Sequence, residues 1–206
     1  AAVVAPMVKR RLHSPHGHLV DFHITPSHPL FRRFLGVPPP GVVAIDRSAL
    51  SEWDDTLTAM RDGVASVGAV ERLFAPLVVR ASELFNSRPP ANPTQTELVH
   101  QLLHRDPEAA LGEMANELCV SLRWMAKLFQ QAMGMSHRDY LTWIKHRRAL
   151  ELLYSQRSLT DVAHAAGFTD SAQFTRNFQR WYGQNPSFTR DPQQVRLFMG
   201  PGGVQA

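Results

Sequence analysis

The residues that could do chemistry in this chain are mostly cationic, and they recur. KLFQQAMG (127–134) returns as RNFQRWYG (176–183). Lys127 matches Arg176, Phe129 matches Phe178, Gln130 matches Gln179 and Gly134 matches Gly183, each 49 residues on. If both stretches are helical, Arg123 and Lys127 share a face that Gln130 and Gln131 extend. In the second copy Ala172, Arg176 and Arg180 share a face, with Ser171 and Gln173 near its N-terminal end. No acidic residue stands between Glu117 and Asp139, where Arg123, Lys127 and Arg138 fall. None stands between Asp170 and Asp191, where Arg176, Arg180 and Arg190 fall. A helix that is locally a cation attracts phosphate. Arg can pair bidentately with the guanine edge and Gln with the adenine edge, each worth about 1–3 kcal/mol of discrimination. Met125, Leu128, Phe129, Phe174 and Phe178 fall on the other face and are expected in the core.

Two further groups have reactive potential. His13, His16, His18, His23 and His28 cluster in sequence, and His16 and His18 would share a strand face. Imidazole clusters bind Zn, Fe or Cu, but no carboxylate follows at a fitting ligand distance, so no metal or cofactor is expected. Cys119 is the only cysteine. It lies where a tight turn is expected, and a buried small residue is its ordinary explanation rather than a nucleophile.

The elements that position the cations are read from caps and breakers. Ser121 can cap LRWMAKLFQQAM, which Gly134 ends. Asp170 with Gln173 can cap SAQFTRNFQRWY, which Gly183 ends. Each is preceded by a short helix and a tight turn, LGEMANELCVS and LTDVAHAAGFTD. Ala115 aligns with Ala163, small enough for two helices to cross closely, and Cys119 takes the place of Gly167 in the turn. This is the plan of a helix-turn-helix, whose second helix enters the DNA major groove. Ser136 with Asp139 can cap a long connecting helix, Ser158 with Asp161 the first helix of the second unit, and Pro186 can open a last short one. The connecting helix, about 19 residues and ~28 Å long, has the length to hold two reading helices about one DNA turn apart.

Upstream, NSRPPANPTQT (86–96) reads as an extended linker, with a capping box at Thr94 and Glu97 starting the next helix. Before it, HLVDFHI (18–24) and GVVAI (41–45) read as short strands, and Ser48 as the cap of a helix that Gly63 ends. Val67, Val70, Phe74, Leu77, Ala81 and Leu84 step by three and four. This seam is either buried on its own domain or is a dimerisation face for a second copy. Pro76 inside it predicts a bend or two shorter helices.

VSLRWMAKLFQQAMGMSHRDYL, then RRALELL, SLTDVAHAAGF, SAQFTRNFQRWYG and NPSFTR, together resemble the DNA-binding domain of AraC/XylS-type bacterial transcription regulators. The resemblance implies a mostly α chain, with a tandem helix-turn-helix domain of about seven helices over 94–192. A small α+β segment over 1–86 resembles the end of a cupin-like barrel with dimerisation helices, joined through a linker at 87–93, and 193–206 is a tail. It implies base-reading at Arg123, Ala126 and Lys127 in the first unit and at Ser171, Ala172 and Arg176 in the second. Ser121, Gln130, Gln131, Gln173, Arg180 and Arg190 are left to the helix face and the phosphates. The implied partners are promoter DNA, RNA polymerase, a second copy through Val67, Val70, Phe74, Leu77 and Leu84, and a small-molecule effector. Departures from the family pattern are Lys145-His146 for Arg-Leu, His137 for Pro and Thr189 for an aromatic residue.

The bulk numbers fit. The chain has 206 residues, 44% apolar, with a net charge of +4 when His is neutral, which permits a polyanionic partner. One cysteine excludes an internal disulfide and agrees with a reducing, cytoplasmic setting. No apolar run approaches a membrane span of about 20 residues. The first residue is not Met, and a processed product or a piece of a longer protein is expected. The rival readings are a helical protein–protein module without DNA binding and a fragment of a metal-binding cupin-type enzyme.

Overall fold

The computed structural model describes residues 1–8, 19–26, 28, 30–85 and 93–197. His13, His16 and His18, most of the expected linker and the end of the tail lie outside them. The chain divides into two compact units, 1–140 and 141–206. The division falls inside a helix rather than at the proline-rich linker.

The first unit opens with strand β1 (Ala2–Val4), helix α1 (Phe31–Leu35) and strand β2 (Val42–Ala44). The strands pair antiparallel, Ala2 with Ala44 and Val4 with Val42. The expected strand at 18–24 does not form among the described residues. Its alternation survives, with Asp21 and His23 outward and Phe22 packed beside Leu73, but among the described residues it does not join the β1–β2 sheet, whose ladder makes a strand. A 3-10 helix (Arg47–Trp53) leads into α2 (Asp54–Arg61). Asp46, not Ser48, is its cap, accepting from the Ser48 backbone N–H at 2.9 Å. Gly63 ends this stretch in the left-handed conformation, φ +72°.

Helix α3 (Val67–Glu83) continues through Pro76 as one helix, so of the two expected outcomes, a bend or two shorter helices, the second does not occur. Pro76 is exposed, while Val70, Leu73, Leu77 and Val78 are buried, so packing of the inner face outweighs the lost hydrogen bond. Val78 and Phe85 meet Val3, Phe34, Val37 and Ile45, and the Phe34 and Phe85 rings lie 5.7 Å apart. Leu73 and Leu77 meet Leu50, with Trp53, Leu57 and Met60 around them.

The same unit continues with α4 (Pro93–Arg105), α5 (Leu111–Glu117), α6 (Leu122–Met133) and the start of α7 (His137–Leu153). Helix α4 begins at Pro93, so Thr94 is inside it rather than at its cap, and Thr96 instead donates to the Pro93 carbonyl. Helices α4 and α5 pack on α6 through Val99, Leu102, Leu103, Met114, Met125, Leu128 and Phe129. Helix α1 holds this helical half in place. Arg32 pairs with Glu97 of α4, and Leu35 packs so closely on Gly134 that a Cβ there would lie 2.3 Å from its Cδ2.

The second unit contains the rest of α7, then α8 (Leu159–Ala165), α9 (Ser171–Tyr182) and α10 (Pro186–Arg190). Its core is Ala149, Leu153, Val162, Ala163, Ala166, Phe168, Phe174 and Phe178. Helices α4 to α10 are the seven expected. No helix among the described residues is long and apolar enough to cross a membrane.

Candidate nucleic-acid interface

The two turn-and-helix motifs share one backbone hydrogen-bond scheme. In the first, Leu118 N–H donates to the Met114 carbonyl, Cys119 to Asn116 and Val120 to Ala115, at 2.9–3.1 Å. In the second, Ala166 donates to Val162, Gly167 to His164 and Phe168 to Ala163, all at 2.9 Å. Each partner is shifted by 48 positions. Thr169 then adds the one extra residue before α9, and from there the shift is 49. Ala115 and Ala163 are both buried at the crossing, as their size predicts.

Local chemistry fixes where each reading helix starts and stops. The Ser121 hydroxyl accepts from Trp124 N–H at 3.2 Å, and Gly134, φ +67°, closes α6 by donating to the Gln130 carbonyl. Asp170 accepts from Gln173 N–H at 2.6 Å, and Gly183, φ +72°, closes α9 by donating to Gln179. The Asp170 carboxyl is held below the usual range, first by that Gln173 N–H and in smaller part by Arg176. Ser158 and Asp161 form the expected cap of α8, and Ser136 and Asp139 that of α7. In α5 the same task falls to Glu113, which accepts from Ala110 N–H at 3.1 Å.

Two opposed faces result. On α6, Met125, Leu128, Phe129, Ala132 and Met133 are buried, while Arg123, Ala126, Lys127 and Gln130 are exposed and Gln131 is half-buried. The Lys127 ammonium lies 5.8 Å from the centre of the Trp124 ring, which steadies it. On α9, Phe174 and Phe178 are buried, Ala172, Arg176 and Arg180 exposed, and Ser171 and Gln173 half-buried.

Two expected DNA contacts have other partners. The Gln173 carbonyl oxygen accepts from Thr169 N–H and from its hydroxyl, so this side chain completes the cap of α9. The Arg190 guanidinium donates to the Leu153, Ser155 and Arg157 carbonyls. Arg190 therefore latches α10 to the end of α7. The outward Leu122, at the first turn of α6, escaped the sequence reading. Its signal was the 49-residue register, which pairs it with Ser171.

The dimerisation seam is occupied within its own unit. Val70 and Leu77 are buried, and Phe74 and Leu84 pack against the same cores. Of the His cluster, His23 pairs with Asp21 at 3.0 Å, and the His28 ring accepts from Leu30 N–H. Cys119 is exposed, not a buried turn residue as expected.

Residues 114–191 match the family model of a helix-turn-helix domain, a span that includes both turns and both reading helices. The Msm operon regulatory protein of Streptococcus mutans is 26% identical over 92 residues, 43% of this chain and 33% of the relative. The HTH-type transcriptional activator RhaS of Pectobacterium atrosepticum is 28% identical over 139 residues, 64% of this chain and 49% of its own. RhaS of Yersinia pestis, in one strain, is 35% identical over 75 residues, 36% of this chain and 28% of the relative. The chain thus spans about half or less of the length of these curated relatives. No solved structure matches it. The repeated turn, the paired cationic helices and these matches define a domain of the helix-turn-helix class. More narrowly, the regulators among these relatives support the resemblance of this domain to that of AraC/XylS-type transcription regulators.

Proposed function

We propose that this chain binds promoter DNA site-specifically as part of a transcription activator, laying α6 and α9 in two successive major grooves. The observation that carries the reading is the duplicated turn, with its hydrogen bonds repeated partner for partner, before two helices that each bury an apolar stripe and expose an acid-free cationic one. Arg123, Ala126 and Lys127 read bases in one groove, and Ser171, Ala172 and Arg176 in the next. Arg123 and Arg176 face guanine edges, and Ala126 and Ala172 offer apolar contact. Ser121, Gln130, Gln131 and Arg180 serve the helix face and phosphates. Helix α7, 17 residues and about 26 Å long, is of the order of one DNA turn.

Activation is carried over from the RhaS relatives' names, and RNA polymerase is the partner it implies. A homodimer through α3 would use the outward face around Val79, because the inner seam is already packed. No effector pocket is assigned to the described residues.

The test is selection of bound duplexes from a random library, followed by gel shift at several salt concentrations. Two short half-sites about one turn apart, with log affinity falling steeply against log salt, are expected. A flat salt response with no enriched sequence would mean a protein–protein module instead.

A further inference from the structure

Leu122 is 57% exposed, although it is a large apolar side chain on a helix whose other large apolar residues are buried or half-buried. Its backbone is held in the first turn of α6 by the Ser121 cap. A lone exposed leucine is unremarkable, but this one has a specific setting. Ala126, one turn on, is also exposed and continues the same stripe, and Arg123 and Lys127 form the neighbouring stripe. On its other side the stripe borders the buried face, with Met125 and Phe129 three and seven residues on from Leu122. The equivalent stripe of α9, 49 residues on, is Ser171 and Thr175. The two reading helices are therefore apolar and hydroxylic at the same positions.

We propose that Leu122, with Ala126 beside it, reads the 5-methyl groups of thymine in the half-site bound by α6, next to the base that Arg123 contacts. Thymine presents an apolar group to the major groove, and the other bases present hydrogen-bonding edges there. An apolar stripe flanked by two cations matches that surface, since the cations bring phosphate close while the leucine meets the methyl. The second helix has the smaller, polar Ser171 where Leu122 stands, so its preference at that step is weaker. The inference rests on the DNA-binding reading above and makes it asymmetric: at the step that Leu122 contacts the half-site for α6 selects thymine, and at the matching step beside Ser171 the half-site for α9 does not.

The experiment takes the duplex selected with the wild-type chain and replaces its thymines one at a time with deoxyuridine, which removes only the methyl. In one half-site, one or two replacements are expected to weaken binding about fourfold each, the value of one buried methyl group. The same replacements should have no effect on Leu122→Ser, while Leu122→Met should keep the penalty and show that the fold is intact. A selected duplex indifferent to deoxyuridine at every position overturns this inference alone. An undiminished penalty in Leu122→Ser does the same. If no duplex is enriched at all, the DNA-binding reading itself falls, and this inference with it.

Discussion

Cys119 and Gly167 occupy the same point of the two turns, and both are left-handed, at φ +53° and +89°. Glycine takes that conformation freely, whereas a side chain bearing a Cβ is strained by about 1–2 kcal/mol. The first turn holds the conformation all the same, because its three backbone hydrogen bonds and the buried Met114 and Ala115 leave the chain no other path. Cys119→Gly should therefore stabilise the protein by about 0.5–1 kcal/mol, after the greater flexibility of glycine in the unfolded chain is deducted. Cys119→Ala keeps the Cβ and should leave stability unchanged. Urea unfolding of the three proteins measures this, and an equal gain in the alanine variant would trace the effect to the thiol instead.

The charge of Arg190 is directed at the end of α7, and its removal should be felt there. Its guanidinium donates to the carbonyl of Leu153, which the end of α7 leaves without an internal partner, and to the Ser155 and Arg157 carbonyls of the turn that follows. Hydrogen bonds from a charged donor are worth about 1.5–3 kcal/mol when the site is protected. Arg190 is half-buried, so Arg190→Ala should cost about 1–2 kcal/mol of stability. The dependence of DNA affinity on salt should stay as it was. A phosphate contact would give the reverse pattern, with stability kept and the salt slope reduced by about one.

The contrast between these side chains explains what could be read ahead of the structure. Caps are local decisions: Ser121, Ser158, Asp170, Gly134 and Gly183 each act on a residue three or four positions away, and all five do what their types predict. The repeat was legible for the same reason. Pairing between distant segments was not. β1 is three residues long, and its partner lies about 40 residues on, so nothing near it announces a strand. Arg190 looks like a DNA-facing cation until its carbonyl partners, 33–37 residues back, come into place. Gln173 shows the milder form, in which a polar side chain with two plausible uses is given one of them by its immediate neighbours.

On the reading helices, the exposed arginines should separate by role. Arg123→Ala and Arg176→Ala should each weaken binding to the selected site by about 1–3 kcal/mol and relax base choice at one position. Arg180→Ala should weaken binding to all sequences alike, as loss of a phosphate contact does. Gel shifts against the selected duplex and its single-base variants measure both. Intact base preference in the first two variants would remove those residues from the list of base readers.

His146 gives the second unit a sensitivity to acid. Its ring is 0% exposed, 5.1 Å from Phe168 and about 6 Å from Phe174, Phe178, Trp181 and Tyr182. Neither ring nitrogen has a hydrogen-bond partner among the described residues. Burial lowers its pKa to about 4, against ~6.5 in the unfolded chain. Burial also raises the Tyr182 pKa, so that hydroxyl stays neutral and offers no charge to hold an imidazolium. Between pH 6.5 and 4 the unfolded chain takes up a proton that the folded chain does not. This contribution to stability is therefore complete above pH 6.5 and is lost as the pH falls toward 4, by about 3 kcal/mol in all. His146→Leu removes the titrating group and the two unpaired nitrogens together. It should be the more stable protein at pH 7, and its advantage should widen by about 2 kcal/mol or more at pH 4.5. Urea unfolding at both pH values gives the difference of differences, in which the carboxylates common to both proteins cancel. Parallel pH profiles would mean that the folded protein accepts the proton on His146 as readily as the unfolded chain does, and that its ring is not sealed from water.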